Sequence, residues 1–197
     1  MTRASHTRRL STTAAALAAM IFLAACSSED PSTTSGGSDT GLSASGLEDA
    51  SGRELVEELE SLPLDERPTD FVASVETEEV VMIDEDGNES SVPLPEDEFY
   101  LSVAPYVDQT HDCFFHSLTT CVGEMGNEEL EVTVVDEDTG EALFDETVQT
   151  HDNGFFGLWL PRDVDAELTI EHDGLTSTVP ISTGEGDPTC LTTSQLT

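Results

Sequence analysis

The sequence predicts a mostly β protein, α+β overall, in which a short N-terminal helix and a small β region precede an antiparallel β-sandwich. After residue 70, short runs rich in β-branched and aromatic residues recur every eight to twelve residues, and turn residues end each run. One stretch has helical periodicity instead. About 150 residues follow the leader and linker described below, which is enough for one core or two small ones.

The helix is predicted over residues 52–62. Ser51 and Glu54 have the spacing of a capping box, in which each side chain binds a backbone N–H near the other. Apolar residues then follow at helical intervals until Pro63 ends the pattern: Leu55, Val56, Leu59 and Leu62. The pattern therefore predicts one short amphipathic helix.

Strands account for most of the remaining chain. FVASV, EVVMID, SSVPL and FYLSVAPYV are the candidates in the small β region, and an Asp-Gly turn separates the second from the third. Farther on, ELEVTVV, EALFDETV, FFGLWL, AELTIE and LTSTVPI alternate with turns. The run VVDEDTGEALFDETVQTHDNGFFGLWLP resembles the prealbumin-like modules of extracellular proteins, a likeness that concerns the fold and not the function.

Two acidic loops, residues 84–88 and 136–140, alternate acids as a calcium-binding EF-hand loop does. Their glycines stand at positions four and five of the loop, whereas the EF-hand needs glycine at position six. Position twelve is Pro95 in one loop and Thr147 in the other, where the EF-hand needs a bidentate Glu. Both loops are therefore predicted to be hairpin turns.

The first 25 residues are typical of an export signal, because Arg3, Arg8 and Arg9 precede the apolar run AAALAAMIFLAA. This run is shorter than the roughly 20 residues that span a bilayer, which disfavours a transmembrane helix. The run ends in Leu-Ala-Ala-Cys, the pattern of a bacterial lipobox, where a lipid is attached to the cysteine and the chain is cut before it. The sequence thus predicts Cys26 as the lipidated N-terminus, outside the cytoplasm, where disulfides persist.

Composition divides the chain into four parts. A signal peptide over residues 1–25 is followed by a lipid-anchored flexible linker over 26–46, which is rich in Ser, Thr, Gly and Asp. Residues 47–108 are predicted to form the helix and small β region. Residues 109–197 are predicted to form the β-sandwich and to carry a Cys/His metal site.

The charge balance is strongly acidic. The chain has six Arg, no Lys and 42 Asp plus Glu, and three of the Arg lie in the leader, so the mature chain has a net charge of −39. Nucleic acid is excluded as a partner, because phosphate binding requires clustered Lys and Arg. The acidity is typical of a surface adapted to high salt, where ions screen the repulsion. Gathering of cations toward a metal site is the alternative.

The segment HDCFFHSLTTC, residues 111–121, concentrates the candidate chemistry. An extended chain would separate the α-carbons of Cys113 and Cys121 by about 26 Å, and a disulfide allows about 7 Å. The chain must therefore fold back between them if they cooperate, and hydroxyl side chains in the segment favour such a bend. A disulfide between these two cysteines is one expectation, but it leaves Cys190, in a possible terminal strand, without a partner.

Three thiolates with a nearby imidazole would suit Cu(I), and the same set could hold tetrahedral zinc as the less favoured alternative. His116, three residues after Cys113, is the candidate imidazole, although a solvent-exposed turn histidine would fit the pattern equally. His151 and His172 stand in Gly-containing turns and are interpreted as turn residues.

HDCFFHSLTTCVGE, FYLSVAPYVDQT, DNGFFGLWLP and DPTCLTT together resemble the CueP-like family of exported copper-binding proteins, from about residue 46 to the C-terminus. The resemblance implies copper resistance outside the cytoplasm, with the family's three cysteines matching Cys113, Cys121 and Cys190. It also implies Cu(I) handling, Cu(II) reduction, transfer of copper to an accepting protein, and a homodimer formed through the N-terminal part. The lipid anchor and the acidity depart from the family's better-known members.

The expected function is thus copper binding by a cell-surface lipoprotein that is not an enzyme. One alternative is a thiol–disulfide exchange protein in which Cys113 and Cys121 cycle and Cys190 resolves mixed disulfides. The scarcity of positive charge in the sequence counts against it, because such charge usually lowers a thiol pKa. The other alternative is a structural sandwich held by one disulfide.

Overall fold

A computed structural model describes Leu47 and residues 49–197, so the predicted signal peptide, the linker and Cys26 lie outside the described residues. The described chain is mostly β with one short helix, α1 (Gly52–Ser61), as predicted. None of its helical structure is long and apolar enough to cross a membrane. The strands are β1 (Phe71–Val75), β2 (Glu79–Asp84), β3 (Glu89–Pro93), β4 (Glu98–Val103), β5 (His116–Ser117), β6 (Glu129–Asp136), β7 (Ala142–Gln149), β8 (Phe156–Pro161), β9 (Asp165–His172), β10 (Leu175–Ser182) and β11 (Cys190–Leu191).

The strands form three sheets, with the orders β3-β2-β1-β5, β10-β9-β6-β7 and β11-β4-β8. Strand β11 runs parallel to β4, and the other strand pairs are antiparallel. The β1–β5 and β4–β8 pairs each join a strand before residue 108 to a strand after it. The division of the folded part at residue 108 stays a prediction.

The larger core lies between the β10-β9-β6-β7 sheet and the strands β4 and β8. Alternate residues of β6 are buried while their neighbours are exposed or half-buried, as the alternation of the sequence predicts. These residues pack against the buried faces of the other strands. The large members of this core include Phe99, Leu101, Phe156, Leu158, Leu160, Leu168 and Ile170. The two layers form the predicted sandwich.

The smaller core joins α1 to the first sheet. Leu55, Val56 and Leu59 are fully buried against β1, β2 and Leu118. The predicted capping box is present, because Ser51 and Glu54 each bind the other's backbone N–H. Gly52 lets the helix approach β3 closely, since a Cβ there would lie 2.3 Å from the carbonyl oxygen of Pro93.

Both acidic loops are turns that use their own carboxylates. The Asp84 side chain accepts the backbone N–H groups of Asp86 and Asn88, and the Asp136 side chain accepts that of Thr139 at 2.7 Å. Because each of these carboxylates accepts backbone hydrogen bonds within its own turn, the alternating acids here stabilise a hairpin and do not form a calcium-binding loop.

Candidate metal centre

Cys113 and Cys121 come together because the chain turns back between them. The short strand β5 is held on β1, and immediately after it the backbone N–H of Cys121 donates to the carbonyl of Ser117 at 3.1 Å. The Thr120 hydroxyl donates to the Ser117 hydroxyl at 2.7 Å inside the same turn. The two sulfurs lie 3.7 Å apart. The bend predicted from the hydroxyl residues is therefore present.

Cys190 reaches the same place from the end of the chain. Parallel pairing of β11 with β4 sets its position, and its backbone N–H donates to the carbonyl of Phe114 at 3.1 Å. Its sulfur is bonded to Cys113. The expectation of a Cys113–Cys121 disulfide is therefore wrong, and the reason is this non-local strand pairing. Cys121, half-buried, is the free thiol of the described chain.

His116 is fully buried, so the alternative of a solvent-exposed turn histidine is wrong. Its backbone N–H donates to the hydroxyl of Thr189 at 3.1 Å, next to Cys190. On the imidazole, Nδ1 lies 3.8 Å from the Cys190 sulfur and Nε2 lies 2.7 Å from a carboxylate oxygen of Glu60. The ring packs on Phe155, with 4.6 Å between ring centroids. The imidazole thus presents Nδ1 to the thiols.

Glu60 is a site residue that the sequence analysis missed. It lies on α1, and its side chain is 2% exposed. One carboxylate oxygen contacts His116, and the other accepts a hydrogen bond from the Asn153 side chain at 2.8 Å. A signal was present, because Glu60 follows Val56 by four residues and so falls on the apolar face of a helix, where a charged residue needs a partner.

The Glu60 carboxylate controls the electrostatics of the imidazole. Burial lowers the pKa of His116, but the charge and hydrogen bond of Glu60 and the contact with Cys121 outweigh it and raise that pKa to about 9. Burial raises the pKa of Glu60, but His116 and Asn153 outweigh it, so that pKa is lowered.

The same imidazole acts on the Cys121 thiol. Burial raises the pKa of Cys121, but the hydrogen bond and charge of His116, with the backbone N–H of Ser117, lower it below its ordinary value. A carboxylate, an imidazole and a thiol thus form a chain from α1 to the free cysteine.

A second cation lies beside Cys121. Arg67 is buried, and its guanidinium donates to the carbonyl oxygen of Cys121 at 2.7 Å. The scarcity of Arg and Lys in the sequence predicted almost no positive charge near the thiols, and the structure contradicts this at Cys121. The chain has only six Lys plus Arg, and composition could not predict that one of them, Arg67, lies against this loop.

Two sets of metal-ligating side chains share Cys121. Within the described residues, the ligand atoms of His116, Cys121 and Cys190 all lie within 4.8 Å of one another, and so do those of His111, Cys113 and Cys121. A metal–sulfur bond of about 2.3 Å, the length found with zinc, places two ligands of one ion up to about 4.6 Å apart. Once the Cys113–Cys190 disulfide is reduced, small side-chain movements would therefore let either set hold one ion. Thiolate and imidazole are the ligands that Cu(I) prefers.

The lowered pKa of Cys121 should increase the reactivity of its thiol. In the form with the Cys113–Cys190 disulfide, Cys121 should be alkylated faster at pH 7 than an ordinary thiol, because its lowered pKa leaves more thiolate. The rate should fall as the pH falls through that pKa. In His116→Gln the profile should move to higher pH, while the remote His172→Gln should leave it unchanged. Identical profiles for the parent and His116→Gln, measured by mass spectrometry, would show that the imidazole does not act on the thiol.

Comparisons with known proteins identify the family of this chain. A crystal structure described as that of S.CueP matches with a TM-score of 0.74 and 34% identity, covering 81% of this chain and 98% of the other. No curated protein gives a match. The family model for the periplasmic copper-binding protein CueP matches residues 54–195. This chain therefore belongs to the CueP family of periplasmic copper-binding proteins.

Proposed function

We propose that this protein binds Cu(I) outside the cytoplasm through Cys113, Cys121 and Cys190, with His116 as an additional ligand, and serves copper tolerance or delivery. The observation that supports it most is the convergence of three sulfurs and one buried imidazole from distant parts of the chain. The disulfide must be reduced before all three sulfurs can bind. Zinc is the weaker alternative, because the family binds copper and the sulfur-rich set favours a soft ion.

Reduction of Cu(II) is a second part of the proposal. Cys113 and Cys190 are close enough to form a disulfide, so the two thiolates can give up one electron each. Two Cu(II) ions would be reduced to Cu(I) as the sulfur–sulfur bond forms, and the thiol protons would go to solvent. Cys121 and His116 remain beside the new Cu(I) as ligands. The disulfide is thus the oxidised product of the proposed chemistry.

The electron balance can be measured directly. Fully reduced protein mixed with Cu(II) under nitrogen should yield two Cu(I) for each Cys113–Cys190 disulfide formed, as determined with a Cu(I) chelator and peptide mapping. Protein that already carries the disulfide is the matched control; with Cys26→Ser in both samples it should yield almost none, because Cys121 is then the one remaining thiol and cannot form an intramolecular disulfide. Cu(I) formed without loss of thiols, or no Cu(I) at all, would contradict the reduction step.

The cellular setting is also proposed. A lipid on Cys26 would hold the protein on the outer face of the cytoplasmic membrane, and the acidic surface would keep it soluble there at high salt. Cys26→Ser should move the protein from the membrane fraction to the soluble fraction. A homodimer and a copper-accepting protein are the further partners expected from the family resemblance.

Thiol–disulfide exchange is the second candidate function, and one observation favours it. The Cys121 thiol, whose pKa is lowered, lies 3.7 Å from a sulfur of the Cys113–Cys190 disulfide. Its thiolate would attack Cys113 and form a Cys113–Cys121 disulfide as the Cys113–Cys190 bond breaks. The Cys190 thiolate that leaves would take up the equivalent of the proton that Cys121 lost. Insulin reduction by the copper-free protein would support this function. A copper requirement for every thiol change would exclude it.

A further inference from the structure

We propose that His111, Cys113 and Cys121 form an outer Cu(I) site, through which the ion passes before it reaches Cys190 and His116. The inference rests on the proposed Cu(I) binding and adds a site and a ligand to it. The three ligand atoms lie within 4.8 Å of one another, and each of the three residues is half-buried. They offer two soft sulfurs and one imidazole, a set suited to Cu(I) in low coordination.

Burial separates the two sites. His116 and Cys190 are nearly inaccessible, at 0% and 3% exposed, whereas the three residues of the outer site keep contact with solvent. An ion arriving from solution therefore meets the outer site first. Cys121 belongs to both sites. The ion can thus move inward by exchanging His111 for His116 and Cys190 while Cys113 and Cys121 stay bound.

A cleft of about 310 Å³ opens at His111. Its lining includes residues that follow Cys121, among them Glu124, and residues that precede His111, among them Gln109. The Glu124 carboxylate accepts backbone N–H groups from Val107 at 2.9 Å and from Asp108 and Gln109 at 3.0 Å. The segment that leads into His111 is therefore held in place, and His111 itself lines the cleft.

The Phe155 ring packs near the imidazoles of both His116 and His111. It is fully buried, and its ring centroid lies 4.6 Å from that of His116 and 6.2 Å from that of His111. One buried apolar ring thus packs near both histidines. The nearest imidazole to Cys113 and Cys121 on the exposed side is His111, which the sequence analysis did not select although it stands two residues before Cys113.

The test compares His111→Gln in two backgrounds, using reduced full-length chain with Cys26→Ser so that only three thiols remain. In the parent, His111→Gln should slow loading from a Cu(I)–chelator complex about tenfold and change the equilibrium affinity less than about threefold. In Cys190→Ser, where the ion is left with the outer ligands, the same change should weaken Cu(I) binding about tenfold or more. His172→Gln is the matched control and should do neither.

The outcomes separate the two proposals. If Cys190→Ser binds no Cu(I), or if His111→Gln has the same small effect on affinity in both backgrounds and leaves the loading rate unchanged, the outer site does not exist, while Cu(I) binding by the parent still stands. If the parent binds no Cu(I), the proposed function fails and the outer site fails with it. In Cys190→Ser, a change in the ¹⁵N shift of His111 on adding Cu(I) would place the imidazole on the ion directly.

Discussion

Cys121→Ser should weaken Cu(I) binding more than either Cys113→Ser or Cys190→Ser, by about a hundredfold or more. Cys121 belongs to both sets of ligands, so its loss removes a thiolate wherever the ion lies. Cys113 and Cys190 each belong to one set, so either variant leaves the other set intact. Competition with a chromophoric Cu(I) chelator measures the three affinities under the same reducing conditions.

The serine variant suits this comparison because Cys121 lies outside the disulfide and Ser can still accept the hydrogen bond from the Ser117 backbone N–H. The side chain is half-buried and outside the disulfide, and Ser keeps its size. Circular dichroism and the unfolding midpoint of the oxidised protein should therefore match those of the parent. An affinity for Cu(I) that stays unchanged in all three cysteine variants would end the proposal of a cysteine site.

Glu60→Gln should weaken Cu(I) binding about tenfold to a hundredfold, the usual effect of losing the group that orients a ligating histidine. In the neutral imidazole, the Glu60 carboxylate holds the proton on Nε2 and leaves the Nδ1 lone pair facing the sulfurs. Glutamine can also donate to Nε2, so this preference is lost. The ¹⁵N shifts of His116 should show the proton on Nε2 in the Cu(I)-loaded parent and a mixture in the variant.

Glu58→Gln is the matched control, because Glu58 lies on the exposed side of the same helix and the charge change is identical. It should leave the affinity and the His116 spectrum as they are in the parent. Equal effects of the two substitutions on affinity would mean that general charge, and not the buried pair, is responsible.

Glu60→Gln should also change how the free energy of unfolding depends on pH. The raised pKa of His116 means that its stabilisation is complete below its ordinary value of 6.5 and is lost as the pH rises through about 9. The lowered pKa of Glu60 means that its stabilisation is present above its ordinary value of 4.5 and is lost as the pH falls below that value. The deficit of Glu60→Gln in free energy of unfolding should therefore be largest between these ordinary values, at about 3 kcal/mol or more for a broken buried pair. A deficit that is constant from pH 5 to 10 would contradict the ion pair.

Local patterns in the sequence predicted much of the fold. The capping box of Ser51 and Glu54 fixed the start of α1, and the alternation in β6 gave its buried face, because both depend on neighbouring residues. The bend between Cys113 and Cys121 followed from chain length and hydroxyl residues. The parallel pairing of β11 with β4 could not be derived in this way, because it joins residues 88 positions apart.

Some residues of the candidate site could also be predicted from local sequence, and others could not. The three cysteines and His116 stood out by residue type and spacing, together with the family resemblance. Glu60 did not, because its partner His116 is 56 residues away and helical periodicity shows only that its face is buried. The disulfide partner of Cys113 depends on the β11–β4 pairing. The position of Arg67 depends on its hydrogen bond to the carbonyl oxygen of Cys121, 54 residues away. Such contacts are set by tertiary packing and leave no local pattern.

The central claim is that reduced Cys113, Cys121 and Cys190 bind one Cu(I) together. The most direct test is a competition titration of the reduced chain carrying Cys26→Ser with Cu(I) against a chromophoric chelator in high salt, with free thiols followed by alkylation and peptide mapping. We expect tight Cu(I) binding and protection of all three thiols by the ion. Weak binding, with one stable disulfide and one thiol that remains reactive in the presence of Cu(I), would contradict it.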